Sequence, residues 1–295
     1  MRNLPGLEFH AALLARLPAR YFPQAADLNA LLEGHHVNGA GMPVRFVAPS
    51  PDIASGEGYE ARAWRSGDII TRADNWHDAC NALAWIAYPQ TKRELNRLHY
   101  AHAPQSAAAG ASAQASANST AHATAHDTAH ATAHATAHAI ARGTARDVLT
   151  HFDEDGLLVA CADPMLAEML AAFRWKDMFW RHRATVTKCM RFHVFGHALA
   201  DKGRAPFRGL TAKALVFAVD AAQLRRPLAE QVAAMDARAA AWFAQNSALS
   251  STQVFSPVPM LGIPGWHADN ARAEYYDDSW QFRPGRRPRG VNSVA

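Results

Sequence analysis

Between residues 77 and 99 the chain carries two imidazoles, a carboxylate, two amides and an ammonium: His77, Asp78, Asn81, Lys92, Asn96 and His99, with Trp85 among them. Gathered in one place, these groups could move protons near neutral pH or hold a divalent metal through His77, Asp78 and His99. They could also bind an anion through Lys92 and stack a planar group on Trp85. The same residue types commonly cap helices and tie them together by buried hydrogen bonds. Site and strut are both open readings at this level.

The elements that must position them are legible in "RADNWHDACNALAWIAYPQTKRELNRLHY". Asp74 is placed to cap a helix running to about Tyr88, Pro89 ends it, and Thr91 with Glu94 makes a capping box for a second helix. At 100° per residue His77, Asn81, Trp85 and Asp78 fall at about 0°, 40°, 80° and 100°, whereas Ala79, Ala82, Leu83 and Ile86 occupy the other side. Lys92, Asn96 and His99 recur at i, i+4 and i+7 and form a second stripe. Antiparallel packing would bring the two stripes together beside an exposed or half-buried Trp85.

Other candidates are scattered. "HVFGH" puts His193 and His197 four apart, but Val194, Phe195 and Gly196 disfavour the helix a zinc pair would need, and the general-base Glu is missing. His197 follows a glycine that leaves room for a ligand, and a hydrogen-bonded core histidine is the competing account. Arg146 and Asp147 suggest an ion pair or turn anchor. Asp153, Glu154 and Asp155 read as a solvated turn, although clustered carboxylates can bind magnesium. No phosphate-cradling glycine loop, no nucleotide-cofactor motif and no nucleophile elbow is present.

The frame around these residues is mixed. "MPVRFVAP" and "YEARAWRSGDIITR" have the content of short strands with Gly67 at a turn, and "DVLTHFDEDGLLVACADP" suggests a hairpin about Asp155 and Gly156. "DPMLAEMLAAFRWKDMFWRHR" and "PLAEQVAAMDARAAAWFAQ" have helical spacing, "LTAKALVFAVD" reads as a strand, and "SPVPMLGIPGW" is too rich in Pro and Gly for either element. Strands and helices mix without regular βαβ alternation, which predicts an α+β fold.

One domain is expected in two parts, 1–104 and 142–284. They are separated by a low-complexity Ala/His/Thr insert over 105–141, with His122, His126, His130, His134 and His138 at every fourth position, and followed by a basic tail over 285–295. Alanine favours and threonine opposes a helix in the insert, so a disordered or marginal helix is expected, able to scavenge metal adventitiously. The formal charge of +4 on 295 residues is carried by Arg283, Arg286, Arg287 and Arg289 near the C-terminus, a segment that could contact nucleic acid weakly. Three dispersed cysteines fit reduced thiols. No apolar run is long enough to span a membrane, and Pro5, Glu8 and Arg16 interrupt any secretory signal. A soluble, cytoplasmic protein is expected.

"TRADNWHDACNALAWIAYPQTKRELNRLH", "RGTARDVLTHFDEDG", "FGHAL", "PVPMLGIPGW" and "YYDDSWQFRP" together resemble the bacterial domain-of-unknown-function 3025 family across about residues 42–284. The resemblance implies a bacterial protein of that family's fold and brings no activity with it. It makes the Ala/His/Thr repeat look like an insertion, and the blocks that look like the family's own include His77, Asp78, Lys92, Asn96, Arg146, Asp147 and His197. Two functional readings follow from the residues. One is a hydrolase, metal-assisted or not, acting on a phosphorylated or nucleotide-like substrate at His77, Asp78, Asn81, Lys92, Asn96 and His99, with Asp147 and His197 contributing. The other is a noncatalytic nucleic-acid- or protein-binding module whose polar network is structural.

Overall fold

The computed structural model describes residues 5–19, 22–50, 58–103, 144–247 and 249–285. In chain order the elements are α1 (Glu8–Leu14), α2 (Ala25–Asn29), β1 (Arg45–Val47), α3 (Tyr59–Ser66), β2 (Asp68–Ile70), α4 (Trp76–Ala87), α5 (Pro89–Ala101) and α6 (144–155). They continue with β3 (Gly156–Cys161), α7 (Pro164–Ala171), α8 (Arg183–Cys189), β4 (Met190–Val194), α9 (His197–Lys202), β5 (Thr211–Ala218), α10 (Leu228–Gln245) and β6 (Ser256–Pro259). The expected α+β class is what forms. The Ala/His/Thr insert and Arg286, Arg287 and Arg289 lie outside the described residues.

Strand β3, "GLLVAC", is buried along its whole length because it is central and covered on both faces. It pairs in parallel with β5 and antiparallel with β4, and β5 pairs antiparallel with β6, in the order β4-β3-β5-β6. Alternation sends Leu157, Val159 and Cys161 into one apolar cluster, with α7 and the C-terminal segment. Leu158 and Ala160 face the other, built with α4, α5, α6 and α10. A separate two-stranded parallel sheet joins β1 to β2.

Several expectations are corrected. No hairpin turns at Asp155 and Gly156: "DVLTHFDED" belongs to α6, whose Ala145, Val148, Leu149 and Phe152 recur at helical spacing and are all buried. The helix passes straight into β3 because Gly156 has no Cβ, which would lie 2.4 Å from the Phe152 carbonyl oxygen. "YEARAWRS" is likewise a helix, closed by Gly67 in the left-handed region at φ 74°. Ser256–Pro259 of the Pro-rich stretch does form a strand, on a sheet edge where proline is tolerated. The long helix expected from Pro164 stops at Ala171, and Phe173 takes φ 57° before the chain turns on toward α8.

The helical corner forms with different caps. Asn75, not Asp74, accepts the Asp78 N–H, and Pro89 occupies the first turn of α5. Thr91 makes no capping box; it is bonded to α10. Among the described residues no helix is long and apolar enough to cross a membrane.

Candidate functional site

Helices α4 and α5 meet at Pro89, so the polar stripe of each turns toward the other. Lys92, 3% exposed, sends its ammonium to Asn81 Oδ1 at 2.9 Å and to both oxygens of Asp153 at 2.6 and 2.9 Å, while lying 5.3 Å from the Trp85 ring centre. Three acceptors match its three protons. Burial by itself pushes the Asp153 carboxyl upward; Lys92, helped by His197 and His99, outweighs it and holds the group below the ordinary carboxylate range.

From the other side of Asn81, its Nδ2 and Trp85 Nε1 donate to the Tyr59 hydroxyl at 2.8 and 3.2 Å. Both lone pairs of that oxygen are then filled, so the hydroxyl is left with a proton to give. Burial, reinforced by Glu60 and Asp153, drives its pKa far upward and keeps it protonated.

His77 stands half exposed at the mouth, its Nδ1 3.5 Å from Asp78 Oδ1. Asp78 is fixed in turn by Arg72, whose guanidinium donates to both carboxylate oxygens at 2.8 and 2.9 Å and whose backbone N–H adds a third bond. Burial opposes ionisation of Asp78, but the Arg72 bonds prevail and its pKa is lowered. The His77 ring meets that of His197 edge-on at 4.6 Å. His197 opens α9, with Nδ1 3.5 Å from Asp153 Oδ2 and no hydrogen bond to that nitrogen. Burial lowers its pKa to about 4 against the pull of Asp153, so its imidazole is neutral at pH 7.

These side chains line a cleft of about 330 Å³. His77, Asp78, Asn81, His99 and His197 reach it, joined by Tyr59, Glu60, Arg72, Thr150, Asp153 and Glu154. Lys92 and Trp85 stand behind its wall, and Trp85 is fully buried rather than half exposed. Asn96 does not reach the cleft. Its amide donates to Glu60 at 3.0 Å and its oxygen accepts the Gly39 N–H at 3.3 Å, a strut between segments. Arg146 and Asp147 are on α6 but outside the lining, and Asp147 is exposed.

Sequence reasoning missed Tyr59 and Asp153. Asp153 is not part of a solvated turn: it follows Phe152 on the buried face of α6, and the helical recurrence of apolar residues there was the available signal. Tyr59 stood in a stretch taken for a strand. His193, on β4, is buried outside the cleft. Among the described residues no three His, Cys, Asp or Glu side chains are grouped to hold a metal ion, so His77, Asp78 and His99 are not a ready ligand set. Near the C-terminus, Arg208 and Arg283 stack over the half-exposed Trp280, while Phe282 is buried.

Fold and cleft together define an α+β protein with a pocket of imidazoles and carboxylates between helices. The chain belongs to the family described as protein of unknown function (DUF3025), whose model matches residues 44–137 and 124–286. No curated protein and no solved structure matches it.

Proposed function

We propose that the cleft is the active site of a hydrolase acting on a carbonyl ester or amide, with His77 as general base. One arrangement carries this reading: two imidazole–carboxylate pairs, His77 with Asp78 and His197 with Asp153, abut where the rings meet at 4.6 Å. With Nδ1–H of His77 directed at Asp78, its Nε2 accepts a proton from water as the oxygen adds to the carbonyl carbon. The Tyr59 hydroxyl donates to the carbonyl oxygen as negative charge develops there. The proton on His77 then passes to the leaving group as its bond to carbon breaks.

A phosphorylated or nucleotide-like substrate, which Lys92 in isolation suggested, fits this lining less well. All three Lys92 donors are used on Asp153 and Asn81, and the charge of Arg72 is balanced by Asp78, so the lining holds no net positive charge to draw a phosphate.

The test is turnover of p-nitrophenyl acetate, an amino-acid p-nitroanilide and p-nitrophenyl phosphate by the purified protein. Hydrolysis of a carbonyl substrate should fall by about 10²-fold in His77→Ala and by a comparable factor in Tyr59→Phe, with thermal stability of the His77 variant kept because that side chain is half exposed. Parent-level rates in both variants, or preference for the phosphate ester, would overturn the reading.

A further inference from the structure

We infer that the cleft selects a cationic substrate, one with an ammonium or guanidinium beside its carbonyl group. The inference deepens the hydrolase reading and rests on it only for placing the substrate in this cleft.

The argument begins with a count of charges. Four carboxylates line the cleft: Glu60, Asp78, Asp153 and Glu154. Two are neutralised, Asp78 by the forked guanidinium of Arg72 and Asp153 by the buried ammonium of Lys92. Glu60 and Glu154 have no ion-pair partner among the described residues. Glu60 accepts one amide bond, from Asn96 Nδ2 at 3.0 Å, which leaves its other oxygen free to accept. With the imidazoles uncharged, the lining and Lys92 sum to a formal charge of −2, within low-dielectric walls that strengthen its field.

A second observation independently points to a bound molecule. His197 is 7% exposed and lines the cleft, and its Nδ1, 3.5 Å from Asp153 Oδ2, makes no hydrogen bond, so a polar edge of the cleft wall stands short of a partner. In the same lining the Tyr59 hydroxyl, both lone pairs filled, can only donate. The cleft therefore offers a neutral donor suited to a carbonyl oxygen and two carboxylates, without an ion-pair partner among the described residues, suited to a cation. Its lining guanidinium, Arg72, is charge-balanced by Asp78. At about 330 Å³ it is sized for a derivative of a single amino acid.

The probes are N-acetylargininamide and N-acetyllysinamide, the uncharged isostere N-acetylcitrullinamide, and inorganic phosphate, titrated calorimetrically into the full-length protein at low and moderate salt. Both cationic amides should bind at least about 10-fold more tightly than citrullinamide and phosphate, and should weaken as salt rises. Glu60→Gln/Glu154→Gln should lose most of that preference, whereas Glu168→Gln/Glu230→Gln, at exposed carboxylates outside the cleft, should keep it. Equal binding of the arginine and citrulline amides, tighter binding of phosphate, or no binding of either cation would overturn the inference. These titrations read recognition without turnover. A cation preference in a protein that hydrolyses nothing would sink the hydrolase reading alone, and hydrolysis of uncharged esters without a cation preference would sink this inference alone.

Discussion

Thr91 at the start of α5 is joined twice to Asp236 in the middle of α10: its backbone N–H donates to the carboxylate at 2.8 Å and its hydroxyl donates to the Asp236 carbonyl at 3.0 Å. The same carboxylate accepts the Gln90 N–H at 3.0 Å. A side chain from a distant helix thus performs the capping that the local Thr91 and Glu94 pattern predicted. It ties the helix that carries Lys92 and His99 to α10, the longest helix among the described residues.

Asp236→Ala should therefore destabilise the protein by about 2 kcal/mol, since a helix cap is lost and buried N–H groups are left without acceptors. Asp236→Asn keeps one oxygen acceptor and should cost less. Urea unfolding of the two variants checks the order. Equal loss in both would mean that charge, not acceptance, is what Asp236 supplies.

Lys92→Met leaves the Asp153 carboxylate buried with its main counter-charge gone, and should cost about 3–5 kcal/mol. Lys92→Met/Asp153→Leu should recover much of that loss, which chemical denaturation would report. The folded pKa of Asp153 is depressed, so the pair's stabilisation is fully present above the unfolded carboxyl value of 3.8 and is lost as pH falls through the folded one. A single variant as stable as the parent would refute the buried pair.

His10 lies in the core beside Tyr88 with neither ring nitrogen hydrogen-bonded, and burial lowers its pKa to about 4 from 6.5. His193 and His197 are depressed to about the same value, again chiefly by burial. Each is neutral in the fold and protonated in the unfolded chain below 6.5, so stability is full above that pH and declines as pH falls toward 4. His10→Leu should raise the melting temperature at pH 7, and raise it further at pH 5, where it removes a protonation penalty of about 2 kcal/mol. An identical gain at both pH values would contradict the assignment.

Gly196→Ala tests how α9 is seated. A Cβ there would lie 2.3 Å from the Glu154 carbonyl oxygen and 2.4 Å from the Gly156 nitrogen, both backbone atoms. Gly196 has φ −62°, so the cost is one of space rather than of backbone conformation. We expect a loss of about 2 kcal/mol or more and a shifted His197 resonance; a variant with the parent's melting temperature would show that the approach is looser.

The helical corner and its two polar stripes could be read from period and proline placement, because short-range spacing fixes which side of a helix a residue occupies. That reading reached His77, Asp78, Asn81, His99 and, through its glycine, His197. It did not reach what packs against the stripes. Lys92 looked like an anion-binding group because its counter-ion, Asp153, is far along the chain and hidden in an acidic run. Trp85 looked accessible because a face that is polar by type is here covered by α3. Tyr59 and Asp153 were lost with their elements: β-branched and aromatic content outweighed helical period in "YEARAWRS" and "DVLTHFDED". Asn96 shared the right stripe but is drawn away by Gly39 and Glu60.

The bond between Lys92 and Asp153 has a further consequence. Every cleft residue up to His99 precedes the Ala/His/Thr segment, and every one from Thr150 onward follows it, so the pocket is a seam between two stretches of polypeptide that the buried Lys92–Asp153 pair bridges. The two partners lie 61 residues apart in the chain, and changing either one would loosen both walls of the pocket.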